Sequence, residues 1–143
     1  MSEDRPRTAP AERFAAEHLA FDLHAEAAAL EAEQTPNPHG HRQKTLFKNS
    51  GRTVALFILD AGASLAEHAT SGIVTVQAIE GELEVSAGGT EGTGYHLRPG
   101  MLLVMASGVR HDVRAGSRAV FLLQVSLVHK TPIPPIPPIP PNP

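Results

Sequence analysis

Turn residues interrupt the chain at short intervals between residues 52 and 128, and this spacing limits what the chain can fold into. Between the turns lie short segments in which apolar residues recur at every second position, as in IVTVQAI at residues 73–79. Such alternation is typical of strands, and many short strands with evenly spaced turns predict an all-β sandwich or barrel. The predicted strands are residues 52–60, 64–68, 73–79, 82–87, 94–97, 101–105, 111–114 and 119–128.

The chain before Thr45 has a different character. Residues 1–13 are polar and contain prolines, which predicts a disordered leader. Residues 23–33 (LHAEAAALEAE) are rich in helix-forming Ala, Leu and Glu, and Asp22 is placed to cap the helix, which two following prolines would end. We therefore predict a leader over 1–13, a helix and Pro/Gly loop over 14–44, a barrel over 45–130 and a proline-rich tail over 131–143.

The tail, residues 131–143 (TPIPPIPPIPPNP), contains eight prolines, which neither a strand nor a helix tolerates. A polyproline II helix tolerates them and repeats every three residues, so Ile133, Ile136 and Ile139 would form one apolar edge. At about 3.1 Å per residue the tail would extend roughly 40 Å. We interpret it as a disordered spacer, and the alternative is a ligand for a polyproline-binding partner.

Composition excludes several classes of function. A length of 143 residues fits one domain. The formal net charge of −3 gives no sign of a basic surface for nucleic acid. There is no Cys, so disulfides and thiolate zinc sites are excluded, and a metal would need His, carboxylate, amide or water ligands. No apolar stretch is long enough to span a membrane and no secretory signal is visible, so we expect a cytoplasmic protein.

Two stretches resemble the conserved motifs of the cupins, which are small jelly-roll β-barrels. They are GASLAEHAT…EGE and RPGMLLVMASGVRHDV, and HATSGIVTVQAIEGEL is also similar to small single-domain bacterial cupins. His68 and His111 stand at two of the motif histidine places. The motif glycine places are held by Gly62, Gly81, Gly100 and Gly108. The resemblance covers about residues 45 to 128, and it implies a cupin-type jelly-roll barrel. The residues on either side add a short N-terminal helix and a disordered proline-rich tail to this fold.

The resemblance also implies a site for one divalent metal: Fe, Mn, Ni or Zn. Thr70 stands at the place of the second motif His and Val74 at the place of the motif Glu, so His68 and His111 are the ligands that remain. Gln77 is a third candidate ligand, although period-two counting turns it outward unless a β-bulge lies near Ser71 and Gly72. The predicted pocket is lined by Thr70, Val74, Val76, Met101 and Met105.

The function therefore has three interpretations. The first is a non-catalytic module that binds a small molecule at a degenerate metal site. The second is a metal-dependent enzyme, such as a dioxygenase or isomerase of a small organic molecule, and the third is an interaction protein that acts through its tail. A homodimer is expected in each case, because open sheet edges favour pairing. His39 and His41 form a His-x-His in a Pro/Gly-rich loop, which we interpret as solvated loop residues.

Overall fold

The computed structural model of the chain describes residues 16–34 and 37–127. Within them lie one α-helix, one 3-10 turn (Gly89–Glu91) and nine strands. The predicted leader and tail lie outside the described residues. The helix is α1 (Leu23–Glu31), and the strands are β1 (His41–Lys48), β2 (Arg52–Leu59), β3 (Ser64–His68), β4 (Gly72–Glu80), β5 (Leu83–Ala87), β6 (Thr93–Leu97), β7 (Leu102–Met105), β8 (His111–Ala115) and β9 (Ala119–Leu127).

The strands form two antiparallel sheets. Sheet A has the order β1-β2-β9-β4-β7, and sheet B has the order β3-β8-β5-β6. Strand β9 is inserted between β2 and β4, and β8 between β3 and β5, so neighbours in each sheet are often distant in sequence. This arrangement confirms the predicted all-β jelly roll with one short helix.

The space between the sheets is filled by the residues that alternate inward along each strand. In β4, Val74, Val76 and Ala78 are buried, while the residues between them face the other side of sheet A. The ring of Phe121 stacks on Phe57 with a centroid distance of 5.0 Å. Each large aliphatic or aromatic side chain buried here contributes about 1.5–3 kcal/mol to stability.

Helix α1 covers part of the outer face of sheet A. Its N-terminus is capped as predicted, because Asp22 Oδ1 accepts a hydrogen bond of 3.1 Å from the Ala25 amide. Ala27 and Leu30 are its buried residues. They belong to an apolar cluster with sheet residues Leu46, Leu56, Ile58, Val120 and Leu122. No helix within the described residues has the length and apolar character needed to cross a membrane.

Ion pairs fasten α1 to the sheet at both ends. Arg118 donates from Nε and Nη2 to the carboxylate of Glu31 at 2.8 and 2.7 Å, and from Nη1 to Glu80 Oε1 at 2.9 Å. His24 Nδ1 donates to the other oxygen of Glu80 at 2.9 Å. These partners, His24 first and then Arg118, hold the pKa of Glu80 below its usual range. The two carboxylates in turn raise the pKa of Arg118.

One strand was absent from the predicted set. Strand β1 begins at His41, ahead of Thr45, where we placed the start of the barrel. Its sequence, HRQKTLFK, is mostly polar, and Leu46 is its only buried residue. It forms an outer strand of sheet A through backbone pairing with β2, which needs no apolar alternation.

Candidate functional site

His68 and His111 meet on neighbouring strands of sheet B. His68 is the last residue of β3 and His111 the first residue of β8, and the two are direct partners in the antiparallel pairing. Directly opposed residues project from the same face of a sheet. Their ring centroids lie 4.1 Å apart with an interplanar angle of 64°, which is an edge contact. The fold thus brings together two histidines that are far apart in sequence.

Backbone carbonyls fix the orientation of both rings. His68 Nδ1 lies 2.8 Å from the Ala66 carbonyl oxygen, and His111 Nδ1 lies 3.0 Å from the Val109 carbonyl oxygen. A carbonyl oxygen only accepts, so each Nδ1 must carry the proton and donate. In the neutral rings each Nε2 therefore carries a lone pair, which is the form of histidine that binds a metal or accepts a hydrogen bond.

The two rings differ in burial. His111 is 1 % exposed, and it is the one buried residue with a polar side chain among the described residues. Its Nε2 has no hydrogen-bond partner in the described part of the chain. His68, by contrast, is exposed. Because buried polar atoms are nearly always paired, the Nε2 atom of His111 points to a partner beyond the described residues, either ordered water or a ligand.

Thr70, at the place of the second motif His, organises the loop beside the pair. Its hydroxyl donates to the Gly72 carbonyl at 3.2 Å, and its own carbonyl accepts from the Gly108 amide at 2.8 Å. Ser107 Oγ likewise donates to the Ser71 carbonyl at 2.6 Å. These bonds tie the β3–β4 loop to the β7–β8 loop. This role of Ser107 was not predicted, although two Ser-Gly turns are visible in the sequence.

Three of the other predicted pocket residues lie in the core and one lies at the surface. Val74, Val76 and Met105 belong to the apolar core between the sheets. Val74, an aliphatic residue, therefore occupies the place of the motif Glu. Met101 is not part of this core, and its prediction is corrected. It precedes β7 and is 39 % exposed, because the Pro99-Gly100 turn ends only at this residue. Its sulfur accepts from the Arg98 amide at 3.4 Å.

Gln77 does not join the histidine pair. The pairing of β4 with β9 is regular from Gly72 to Ala78, and the register shift falls between Ala78 and Glu80. The bulge that would have reversed Gln77 is therefore absent from this part of β4. Gln77 lies on the outer face of sheet A, where its pairing partners are Leu102 and Leu122. Its prediction as a ligand is thus wrong.

The metal ligands implied by the resemblance are incomplete. Within residues 16–34 and 37–127 no group of three or more His, Asp or Glu residues is placed to hold a metal. Glu67, the carboxylate that precedes His68, pairs instead with Arg110 Nε at 3.0 Å. Two imidazoles have the right tautomer for a divalent metal but supply only half of a four-ligand site. His39 and His41 stack 6.3 Å apart without a third ligand group in the described residues.

A separate charged cluster lies on the outer face of sheet B. His96 of β6 contacts Glu84 through Nδ1 and lies 3.4 Å from Glu82 Oε2 through Nε2. The hydrogen bond with Glu84, and then that with Glu82, raises the pKa of His96. All three side chains are exposed, and we interpret the cluster as part of the solvated surface.

Comparison with known proteins finds solved structures with the same architecture. Neither a family model nor a curated protein matches the chain. Among solved structures, a cupin superfamily protein from Desulfitobacterium hafniense matches with a TM-score of 0.62 and 14 % identity over 81 % of this chain and 96 % of that one. An RmlC-like cupin from Shewanella frigidimarina matches with a TM-score of 0.61 and 20 % identity over 80 % and 95 %. A predicted oxalate decarboxylase from Thermotoga maritima matches with a TM-score of 0.55 and 20 % identity over 62 % and 81 %.

Proposed function

Because the described residues form a small cupin domain, we propose that this protein is a small-molecule-binding module whose ligand is anchored by His68 and His111. The observation that carries the proposal is the buried Nε2 of His111, which lacks a partner in the described residues and lies on a ring in contact with that of His68. Buried ring nitrogens are usually paired with protein or with ordered water, so the unpaired Nε2 supports a ligand at this ring.

The tautomer of the pair restricts the chemistry of the ligand. Both Nδ1 atoms donate to carbonyls, so in the neutral rings each Nε2 presents a lone pair. A molecule that binds them must offer an electron-pair acceptor: a hydroxyl, amine or ammonium hydrogen, or a metal cation that the molecule itself helps to coordinate. Val74 and Met105 on the facing sheet are aliphatic and buried, which favours a ligand with an apolar part.

The test is a fragment screen by ligand-observed NMR on the full chain, dialysed against a chelator. We expect hits enriched in small alcohols, phenols and amines, lost in His111→Leu and retained in His96→Leu, a control that removes an exposed histidine on the opposite face of sheet B. The proposal fails if hits bind both variants equally, or if carboxylates without a hydrogen-bond donor are preferred.

A metal-dependent enzyme is the second candidate, favoured by the two Nε2 lone pairs and by the likeness to the predicted oxalate decarboxylase. His68 and His111 would hold the ion, which would supply Lewis-acid or redox chemistry when bound. The discriminating measurement is calorimetric titration with Fe(II), Mn(II), Ni(II) and Zn(II). One equivalent of metal that survives dialysis, and is lost in both His68→Ala and His111→Ala, would favour the enzyme. Equally weak binding by all three proteins would favour the module.

A further inference from the structure

Three neighbouring apolar side chains on the outer face of sheet A are left uncovered by helix α1. Ile73, Leu102 and Val104 are 42 %, 56 % and 58 % exposed. Leu102 and Val104 alternate along β7 with the buried Leu103 and Met105, so both face away from the core. We call these three residues the apolar strip.

The apolar strip lies next to an exposed edge of sheet A, where a second chain could pair with the sheet. Among the described residues β7 is an outer strand of sheet A, so this edge combines backbone groups without a strand partner there and two exposed aliphatic side chains. An edge that carries exposed apolar side chains can pair with another chain unless something covers it. On the same face, Val104 is opposite Thr75 and Leu102 is opposite Gln77, which are polar but uncharged.

The end of β9 brings the following segment to this place. Leu127 is the last residue of β9, and its pairing partner is Gly72, the residue before Ile73. Residues 128–143 continue from that point. Leu102 is opposite Gln77, four residues along β4 from Ile73, so the strip measures about 13 Å along the strands and about 5 Å across them. In a polyproline II conformation the 13 residues of the tail would extend roughly 40 Å, enough to span that distance after a short reversal.

The composition of the tail matches the strip. Residues 131–143 contain no charged side chain, and Ile133, Ile136 and Ile139 recur with the period of a polyproline II helix. That helix would present one isoleucine about every 9 Å along a single edge. Its carbonyls make no internal hydrogen bonds, and the side-chain amides of Gln77 and Gln124 on the same sheet face are donors suited to them.

We propose that the proline-rich tail folds back over the outer face of sheet A of its own chain, with its isoleucine edge on the apolar strip. The tail then shields the free edge of β7 and leaves the histidine pair, which lies on sheet B, untouched. This inference is independent of the proposed ligand. Bound in this way, the tail acts as a strap that prevents β7 from pairing with a second sheet.

The absence of cysteine allows a direct test in the full chain. The double variant Val104→Cys/Ile136→Cys is compared with Arg114→Cys/Ile136→Cys, in which the exposed Arg114 places the first thiol on sheet B. Under mild oxidant at micromolar protein, we expect the first pair to form an intrachain disulfide roughly tenfold faster than the control, because docking raises the effective concentration of the thiols. Non-reducing electrophoresis and peptide mass spectrometry distinguish the products.

Two outcomes would overturn the proposal. Equal rates in the two pairs would mean that the tail does not prefer the strip. A disulfide that forms mainly between chains, at a rate that rises with concentration, would assign the strip to the tail of a second copy. A second measurement uses Ile133→Ser/Ile136→Ser/Ile139→Ser, which keeps every proline. We expect faster amide hydrogen exchange in Leu102–Met105 than in the wild type, and unchanged exchange would count against docking.

Discussion

Replacing the buried motif histidine with leucine should stabilise the protein while it removes the binding site. His111→Leu deletes a ring that is 1 % exposed and whose Nε2 has no partner in the described chain. Most substitutions of a fully buried residue are destabilising, so an increase in stability would be a specific signature of a group that is kept for function.

The expected size follows from the contacts. Leaving a buried nitrogen unpaired costs about 1–3 kcal/mol, and this cost disappears in the variant. Against it stands the lost hydrogen bond from His111 Nδ1 to Val109, which is worth about 1 kcal/mol. The side chains are similar in size and leucine is fully apolar, so packing changes little. We expect the free energy of unfolding to rise by about 1 kcal/mol, or roughly 3–5 °C in midpoint temperature.

The assay is urea unfolding followed by circular dichroism, with thermal unfolding as a check. Val113→Ala is the matched control, because Val113 lies on the same strand, faces the same core and is fully buried. It should lower the free energy of unfolding by about 2 kcal/mol through the cavity it leaves. If His111→Leu is also destabilised by more than about 1 kcal/mol, Nε2 is already satisfied in the folded protein, and the argument for a ligand at this ring is refuted.

Three further predictions concern the glycines, the surface cluster and the helix. Gly81→Ala should destabilise the protein by about 3 kcal/mol or more, because Gly81 has a φ of +69° and a Cβ there would lie 2.2 Å from the Arg118 carbonyl oxygen. Gly100→Ala should cost only about 1 kcal/mol, because Gly100 has a φ of +92° but open space around it. Equal losses of the two variants in chemical denaturation would contradict the steric argument. NMR titration should place the pKa of His96 above 6.5 and Glu84→Gln should lower it; because the folded pKa is raised, the stabilising contribution is present below pH 6.5 and is lost as pH rises through the folded pKa. Arg118→Met should lower the free energy of unfolding by about 1 kcal/mol in low salt and by less in 1 M salt, and a salt-independent loss would indicate packing instead of charge.

Most of the fold could be predicted because turn chemistry and alternation are local signals. The predicted strands correspond to β2 through β9, and Asp22 caps α1 as expected. Strand β1 was missed because backbone pairing with β2 holds it in the sheet, and its mostly polar sequence lacks the apolar alternation that marks a strand. The predicted start of β7, at Met101, was one residue too early, and the Met101 side chain lies at the surface instead of in the predicted pocket.

The site was less predictable than the fold. Motif spacing singled out His68 and His111, and the structure brings their rings together, but the proposed roles of both remain to be tested. No sequence signal marks the carbonyls of Ala66 and Val109, since every residue has one, and yet they determine which ring nitrogen is free. The orientation of Gln77 depended on whether β4 carried a bulge near its start, which a single sequence does not reveal.

The place of β9 in sheet A has a consequence for how the chain is made. Its neighbours β2 and β4 are synthesised well before it, yet neither can complete its backbone pairing until β9 has left the ribosome and inserted between them. Most contacts in such a sheet join residues that are far apart in sequence, which gives the fold a high contact order and slows its folding. Until synthesis reaches this strand, β2 and β4 each lack the partner that occupies one of their edges in the folded protein, and exposed strand edges of this kind are what chaperones protect.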